Sequence, residues 1–320
     1  MIKLNGKHQP DSRTARDGMA NTLNAMMAED ESICYIDCDL MVCVNTNQLQ
    51  KNYPTRAFNA GIAEANAMGI AAGLSSEGKK VWYHTFGCFA SRRAYDQAYM
   101  SVAYSKLNVK VLGSDAGVSA TFNGGTHMPF EDAATYMSIP GTVVCDPCDS
   151  TQIAELTKLL NEHYGLTYMR FPRKDVVKVY DEGSEFKLGK GVVLHDGTDV
   201  TIISSGIVLD EALKAYEMLK EEGISARIID MFTWKPIDKE LIVKAAKETR
   251  AIVTAENHNV TCGLGSAVAN VLAAECPTVL EKVGSQDRFG QVGPQSFLME
   301  EYNMLAKDIV SAAKKAIERK

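Results

Sequence analysis

A carboxylate, two aromatic residues and a histidine could do chemistry together in this sequence of 320 residues. Glu64 is the one ionisable residue of the run from Gly61 to Leu74, which is rich in Ala, Gly, Ile and Met. Such a run predicts a helix that packs closely on most sides, and a carboxylate buried there must be hydrogen-bonded or neutralised. A second interpretation fits equally well. If Gly61 is the N-cap, Glu64 is an ordinary third-position Glu of the first turn.

Phe86, Phe89 and His127 follow Glu64 in the chain, within the sequences VWYHTFGCFASRRAYDQ and DAGVSATFNGGTHMPFED. Two Phe residues at this spacing are, taken alone, typical of core packing. A neutral His in a glycine-rich loop at the end of a strand is suited to moving protons, although a lone His is more often incidental. The order of these residues carries more information than any one of them.

The composition excludes several classes of protein. The chain has 46% hydrophobic and 23% charged residues, as an ordinary globular protein does. Its formal charge is −6 and it has no Lys/Arg cluster with interleaved aromatic residues, which argues against nucleic acid as a partner. No apolar run approaches the ~20 residues that span a bilayer, and the polar N-terminal sequence lacks the apolar region of a signal peptide. We therefore expect a cytoplasmic protein without a membrane partner.

Eight cysteines invite a metal or redox interpretation. Cys145 and Cys148 have the spacing of half a metal site, but no second pair follows at zinc-ribbon spacing. We therefore predict no metal site in this chain, and we interpret most cysteines as small reduced core residues.

Alternating strands and helices predict an α/β fold of two domains, each a largely parallel sheet with helices on both faces. Residues 1–180 form the first domain and residues 190–320 the second, and the polar segment from Arg173 to Lys190 is interpreted as a linker. The predicted strands of the first domain are 32–39, 80–84, 109–112, 142–145 and 166–170, and its helices are 13–30, the Glu64 helix, 94–104, 130–137 and 150–162. The second domain is assigned strands 200–204, 225–230 and 251–256 and helices 209–222, 238–249 and 263–275.

A short glycine motif begins the last predicted helix. Gly263-Leu-Gly-Ser-Ala267 is similar to a phosphate loop, but it lacks the Lys of a P-loop and the third Gly of a Rossmann motif. Close helix packing is therefore the favoured interpretation, and the nearby His258 is interpreted as structural.

The order of a helix Glu, then TF-x-x-F, then G-x-T-H-x-P resembles the pyrimidine-binding half of the transketolase family, and TAENHNVTCGLGSAVA resembles its C-terminal domain. The resemblance covers essentially the whole chain and implies a pyrimidine-type fold followed by a transketolase C-terminal-type domain. It also implies thiamine diphosphate as cofactor, with Glu64 bonded to the aminopyrimidine, Phe86 and Phe89 against the ring, and Asp39 nearby. His127 would face the substrate, hold its hydroxyls and shuttle protons.

The same resemblance places sugar-binding residues and shows where this sequence differs from the family. Arg16 and Arg170 match arginines that hold a terminal phosphate, whereas a family Ser is Cys43 and a family His is Ser114. The acidic residue that reads a sugar hydroxyl is Asn123. Cys43 and a further cysteine, Cys88, fall near the implied site. Because Arg binds many oxyanions, we expect an unusual anionic ketose, sulfonated or branched, in place of xylulose 5-phosphate.

The sequence has no GDG…N motif for the cofactor's diphosphate and Mg²⁺. The resemblance therefore implies a partner subunit that carries this motif and holds the metal, in a heterotetramer with a two-fold axis between copies of this chain. Two alternatives stay open. One is the beta chain of a 2-oxoacid dehydrogenase, which has the same layout and cofactor. The other is a scaffold or regulatory paralogue without cofactor.

Overall fold

Short strands buried along their whole length form the centre of the molecule. The structure, a computed structural model, describes residues 2–173 and 175–320. All five residues of the strand Ile33–Asp37 are buried, as expected for a parallel strand that is covered by helices on both faces. The strands are β1 Ile33–Asp37, β2 Ala57–Asn59, β3 Lys80–Phe86, β4 Val109–Ser114, β5 Val143–Cys145, β6 Thr167–Phe171, β7 Val192–His195, β8 Val200–Ser204, β9 Ala226–Asp230, β10 Thr233–Lys235, β11 Ala251–Asn259 and β12 Val279–Ser285.

Helices follow most of these strands. The helices are α1 Ala15–Glu29, α2 Asn47–Asn52, α3 Glu64–Ser76, α4 Gly87–Arg92, α5 Tyr95–Gln97, α6 Asp132–Met137, α7 Ser150–Glu162, α8 Val208–Glu221, α9 Lys239–Thr249, α10 Leu264–Glu275, α11 Gln295–Glu301 and α12 Ala306–Glu318. Within the described ranges, no helix is both long enough and apolar enough to cross a bilayer.

The strands form two sheets. The first has the order β10-β5-β6-β4-β3-β1-β2 and the second the order β12-β11-β8-β9-β7. All pairs are parallel except β10 with β5 and β7 with β9. The predicted fold class, two largely parallel sheets with helices on both faces, is confirmed. The chain up to β6 forms the first unit, and the chain from β7 onward forms the second. Because β10 follows β9 in the chain yet pairs with β5, the second unit extends the sheet of the first.

Loops at the carboxyl ends of β1, β3 and β4 form one edge of the first sheet. These strands are neighbours, with Asp37 paired in register to His84 and Phe86 to Ser114. Functional loops of open α/β sheets lie at this end. The sequence places the segment 38–46, helix α4 and the glycine-rich segment 115–127 there.

Two predicted segments differ from the structure. The predicted helix 94–104 divides into α5 and a π-helix at Ala98–Tyr104. The predicted linker is packed, at least over residues 175–190: Val176, Val179 and Tyr180 are buried. Tyr180 and Val177 form isolated bridges to the N-terminal segment. Lys174 lies outside the described residues. The segment is mostly polar, so its few buried apolar residues did not stand out in the sequence.

Candidate functional site

Glu64 is a buried carboxylate at the start of a helix. Helix α3 begins at Glu64, and its N-cap residue is Ala63, which makes no side-chain capping bond. The interpretation with Gly61 as N-cap is therefore wrong, because Glu64 is the first residue of the helix and not the third. Its side chain is 5% exposed, and its Oε1 lies 2.9 Å from Nη1 of Arg93. A carboxylate at a helix N-terminus is also favoured by the helix dipole.

Phe86 and Phe89 lie together beside this carboxylate. Phe86 ends β3 and Phe89 lies in α4, with their ring centroids 6.1 Å apart. The guanidinium carbon of Arg93 lies 3.8 Å from the centroid of Phe89. Since Arg93 also bonds Glu64, it joins the carboxylate to the aromatic pair.

His127 completes this group from the glycine-rich loop. Its ring contacts Phe89 edge-on at 5.2 Å and Phe86 at 6.2 Å, and its Nδ1 lies 2.9 Å from Oγ1 of Thr126. The loop approaches the second unit so closely that a Cβ on Gly125 would lie 2.0 Å from the carbonyl oxygen of Gly290. A glycine is therefore required where the histidine loop passes the second unit.

Arg173, which was not among the residues predicted from the sequence, extends the group. Its guanidinium carbon lies 5.5 Å from the Phe86 centroid, and its Nε lies 3.0 Å from Oδ1 of Asp115. Asn123 donates to Oδ2 of the same carboxylate at 3.1 Å. A signal was available in the sequence, because Pro172 ends the strand and places Arg173 in a loop at the sheet edge.

Two of the predicted substrate-binding residues, Arg170 and Ser114, are fully buried. Arg170 is fully buried: it binds both carboxylate oxygens of Asp132 at 2.9 and 3.0 Å and donates to the carbonyl of Asn257. Arg170 thus ties the two units together, and its role in binding substrate stays a prediction. Ser114 is also fully buried, with its Oγ 3.0 Å from Nε2 of His84.

A buried chain of hydrogen bonds continues from Ser114 to the loop after β1. Nδ1 of His84 lies 2.7 Å from Oδ2 of Asp37, which also accepts from the Tyr35 hydroxyl at 2.8 Å. Oδ1 of Asp37 accepts from the backbone amide of Leu40. Ser114 is therefore linked by hydrogen bonds to the loop after β1, and its role in binding substrate stays a prediction.

Arg16 and Asp39 lie at the same sheet edge but make local contacts. Arg16 donates from Nη1 to the carbonyl of Cys43 at 2.9 Å. Asp39 is exposed, has a φ of 66° and accepts from the side-chain amide of Asn59 at 2.8 Å. Both remain predictions, because no contact in the described structure joins them to the Glu64 group.

The glycine motif at 263–267 already holds an anion from within the chain. Glu256 accepts from the backbone amides of Leu264 and Gly265 at 2.6 and 2.8 Å. Burial raises the pKa of Glu256 to about 7, against the opposing effect of these amides. Because its amides are taken, this motif does not offer a phosphate site. His258, also fully buried, has a pKa lowered to about 4 by burial and Arg170.

The cysteines are all free. Burial raises the pKa of Cys145 and of Cys88 to about 12. In the part of the chain that the structure describes, no group of three or more His, Cys, Asp or Glu residues could hold a metal ion.

The fold and site define a two-unit α/β protein with a polar site at the carboxyl ends of a parallel sheet. Residues 11–178 match the family model "Transketolase, pyrimidine binding domain", and residues 189–309 match "Transketolase, C-terminal domain". The chain belongs to the transketolase family, as the sequence analysis predicted.

Several relatives are subunits of divided enzymes. A 6-deoxy-6-sulfo-D-fructose transketolase subunit of Clostridium sp. (strain MSTE9) is 44% identical over 305 residues, covering 95% of each chain. One of the subunits of an apulose-4-phosphate transketolase of Phocaeicola vulgatus is 36% identical, covering 95% of this chain and 97% of that one. A solved structure described as "Split gene transketolase, inactive beta4 tetramer" has a TM-score of 0.89 and 40% identity, covering 96% of this chain and 99% of that chain.

Proposed function

We propose that this chain is the pyrimidine-binding subunit of a split transketolase. With a partner subunit it would transfer a two-carbon ketol unit from an anionic ketose to an aldose. The observation that carries the proposal is the continuous group of a buried carboxylate, two aromatic rings and a histidine. Successive contacts join this group at the end of one sheet. They run from Glu64 to Arg93, then to Phe89, His127 and Phe86.

These residues fit the aminopyrimidine half of thiamine diphosphate. When bound, this cofactor supplies a carbon nucleophile and an electron sink. Glu64 would hold a proton at the pyrimidine ring nitrogen, because a poorly solvated carboxylate bonds an N–H donor strongly. Phe86 and Phe89 would fix the plane of the ring and exclude water from it.

The loop from 115 to 127 would bind the sugar. His127 would accept and return a proton at a substrate hydroxyl, as a general acid–base group must do within hydrogen-bond reach. Asn123 would bond a second hydroxyl. Arg173, whose side chain is 17% exposed, would bind the anionic end in the role that the sequence analysis gave to Arg170.

The diphosphate and Mg²⁺ would be held by a partner subunit with a GDG…N motif. The proposal is supported by relatives that are themselves named as transketolase subunits and that this chain matches over nearly their whole length. The similar solved structure is described as an inactive β4 tetramer. That description supports two parts of the proposal, namely that such a subunit associates with itself and that it is inactive alone. We propose a heterotetramer in which the contact across the two-fold axis is made by this chain.

The donor would be a sulfonated or branched ketose in preference to xylulose 5-phosphate. The sequence replaces a hydroxyl by Cys43 and an imidazole by Ser114, while Arg173 keeps a guanidinium at the site. Two relatives are named for a sulfonated fructose and for apulose 4-phosphate. Both are anionic sugars, which supports a pocket that tolerates variation in the anion.

The test is turnover with a partner subunit. The chain is purified, combined with a transketolase subunit bearing GDG…N, and supplied with thiamine diphosphate and Mg²⁺. We expect no turnover by the chain alone. In the complex we expect a higher kcat/KM for 6-deoxy-6-sulfofructose or a branched ketose phosphate than for xylulose 5-phosphate. Full activity of the single chain contradicts the divided architecture, and a clear preference for xylulose 5-phosphate over both other sugars contradicts the donor assignment.

The same assay separates the two alternatives. A 2-oxoacid dehydrogenase beta chain would use pyruvate as donor and would not use ketoses. A scaffold would not bind thiamine diphosphate even with a partner present. The identities to transketolase subunits, at 44% and 36%, favour ketol transfer over both.

A further inference from the structure

Arg93 holds both groups that the proposed function assigns to the cofactor ring. Its Nη1 donates to Oε1 of Glu64 at 2.9 Å, and its guanidinium carbon lies 3.8 Å from the ring centroid of Phe89. The Glu64 side chain is 5% exposed and the Arg93 side chain 49% exposed. A half-exposed cation therefore covers a buried carboxylate and one face of an aromatic ring.

A guanidinium has the chemical features of the protonated aminopyrimidine. Both are flat, carry delocalised positive charge, present N–H donors in the plane and stack on aromatic rings. A carboxylate beside a ring face accepts either group with the same geometry. A pyrimidine ring that took Oε1 of Glu64 and the face of Phe89 covered by Arg93 would have to displace the guanidinium from both.

We propose that Arg93 is a built-in substitute for the cofactor's aminopyrimidine, which it must release before the cofactor binds. This inference rests on the proposed function, since it assumes that Glu64 and Phe89 receive that ring. Before the cofactor arrives, the arginine neutralises a carboxylate that would otherwise be buried without a partner, a costly state.

The surroundings of Arg93 allow it to leave. It follows the last residue of α4, and half of its side chain is exposed, so the guanidinium can turn into solvent. Its neighbour Arg92 is held differently, because Nε of Arg92 binds Glu131 at 2.5 Å and its Nη1 donates to the carbonyl of Thr126 at 2.9 Å. Arg92 is therefore a matched control that has the same charge and lies on the same turn.

The experiment uses the full chain and the aminopyrimidine half alone, 4-amino-5-hydroxymethyl-2-methylpyrimidine, which needs no diphosphate domain. Its affinity is measured by calorimetry or by ligand-observed NMR for the wild type, Arg93→Ala and Arg92→Ala. We expect Arg93→Ala to bind roughly tenfold more tightly than the wild type, the ratio that 1.4 kcal/mol of lost competition gives. We expect Arg92→Ala to bind as the wild type does.

Two further measurements identify the competitor. Guanidinium ion at low millimolar concentration should weaken pyrimidine binding by Arg93→Ala and leave the wild type unchanged, because it refills the vacated place. The variant Arg93→Met keeps an unbranched stem over Phe89 and should also bind more tightly than the wild type. Circular dichroism establishes that each variant is folded.

Equal or weaker affinity in Arg93→Ala and Arg93→Met overturns the proposal, since Arg93 would then be neutral or would help to hold the ring. Absence of pyrimidine binding by every variant also overturns it. Neither result decides the proposed function, because ketol transfer by the reconstituted complex is measured independently of Arg93.

Discussion

Glu64 owes its place to the small side chains that follow it. Ala67 and Ala71 are fully buried, so α3 packs closely against the sheet and leaves little room for water around the carboxylate. The Tyr83 hydroxyl donates to the backbone carbonyl of Glu64 at 3.1 Å and fixes the first turn on β3. A carboxylate fixed in this way is preorganised for a flat donor, and this is the basis of the first prediction.

We predict that Glu64→Gln folds normally and loses turnover by about 10²–10⁴-fold or more, the range for general acid–base groups. Gln keeps the shape of Glu but cannot hold a proton on the ring nitrogen. The measurement is kcat of the reconstituted complex, with the unfolding temperature of the chain as a check on folding. The control is Glu77→Gln, at the exposed end of the same helix. Near-normal turnover in Glu64→Gln would leave Glu64 a structural residue only.

The second prediction separates two arginines that lie three residues apart. Arg173→Ala should lower kcat/KM for the anionic donor by about tenfold or more, because a charge-assisted contact is lost. It should cost less stability than Arg170→Ala, because the buried carboxylate of Asp115 keeps the hydrogen bond that Asn123 donates. Arg170→Ala should instead destabilise the chain by about 3–5 kcal/mol, the cost of leaving a buried partner charge unpaired. Donor kinetics and urea unfolding of both variants test this. The opposite pattern would restore the sequence-based assignment to Arg170.

This pair also shows what the sequence could reveal at the scale of residues. The types and order of Glu64, Phe86, Phe89 and His127 sufficed to select them as candidates, because each has a chemical use in the same loop set. Spacing alone could not tell Arg170 from Arg173. Their difference is burial: Arg170 lies within β6, whereas Arg173 lies beyond its end.

At the scale of elements, long periodic helices and buried strands were predictable, and short or irregular elements were not. β10 has three residues and owes its conformation to pairing with β5, which is distant in sequence. The π-helix at Ala98–Tyr104 was expected as a regular helix, because the sequence pattern of the two is nearly the same. Nonlocal pairing and small changes of helix type leave little trace in local composition.

The third prediction concerns the glycine that lets the histidine loop pass the second unit. Gly125→Ala should displace His127 and lower turnover, because the added Cβ would lie 2.0 Å from the Gly290 carbonyl oxygen. Gly73→Ala is the control, since a Cβ there meets nothing within 4 Å. It should be neutral, or stabilising by up to about 1 kcal/mol in a helix interior. Unchanged turnover in Gly125→Ala would show that the loop adapts without moving His127.

At the scale of the whole molecule, buried acids lie along the boundary between the two units. Burial raises the pKa of Asp230 to about 7 and that of Asp146 to about 6. The Asp230 Oδ2 accepts from the Tyr180 hydroxyl and from the Gln152 side chain, both at 2.6 Å. Burial therefore favours the protonated form of both carboxyl groups.

The fourth prediction follows from this protonation. A carboxyl whose pKa is higher in the folded than in the unfolded chain stabilises the fold at low pH and loses that contribution as pH rises through the folded value. Asp230 and Glu256, both at about 7, should make the free energy of unfolding fall between pH 6 and pH 8 by about 3 kcal/mol, roughly 1.4 kcal/mol for each group. His258 has a pKa lowered to about 4, so it makes the free energy of unfolding rise as pH increases from about 4 to about 6.5. Above pH 6.5 it changes the free energy of unfolding little.

Urea unfolding across this pH range, with an Asn variant, tests the assignment. Asp230→Asn keeps an acceptor for Tyr180 and Gln152 but cannot ionise, so it should flatten the slope and be more stable than the wild type at pH 8. Glu221→Gln, an exposed change on α8, should keep the wild-type slope. An unchanged slope in Asp230→Asn would assign the effect to other groups.

β10 belongs to the second unit but pairs with β5 of the first sheet, and this has a consequence for how the chain folds. When the ribosome has produced only the first unit, β5 is an edge strand with open amides and carbonyls, because its outer neighbour has not yet been made. Unpaired edges of this kind favour association between chains. A fragment that stops near residue 180 should therefore aggregate or recruit a chaperone, and the nascent chain should become protease-resistant in a single late step, after Thr233–Lys235 has emerged.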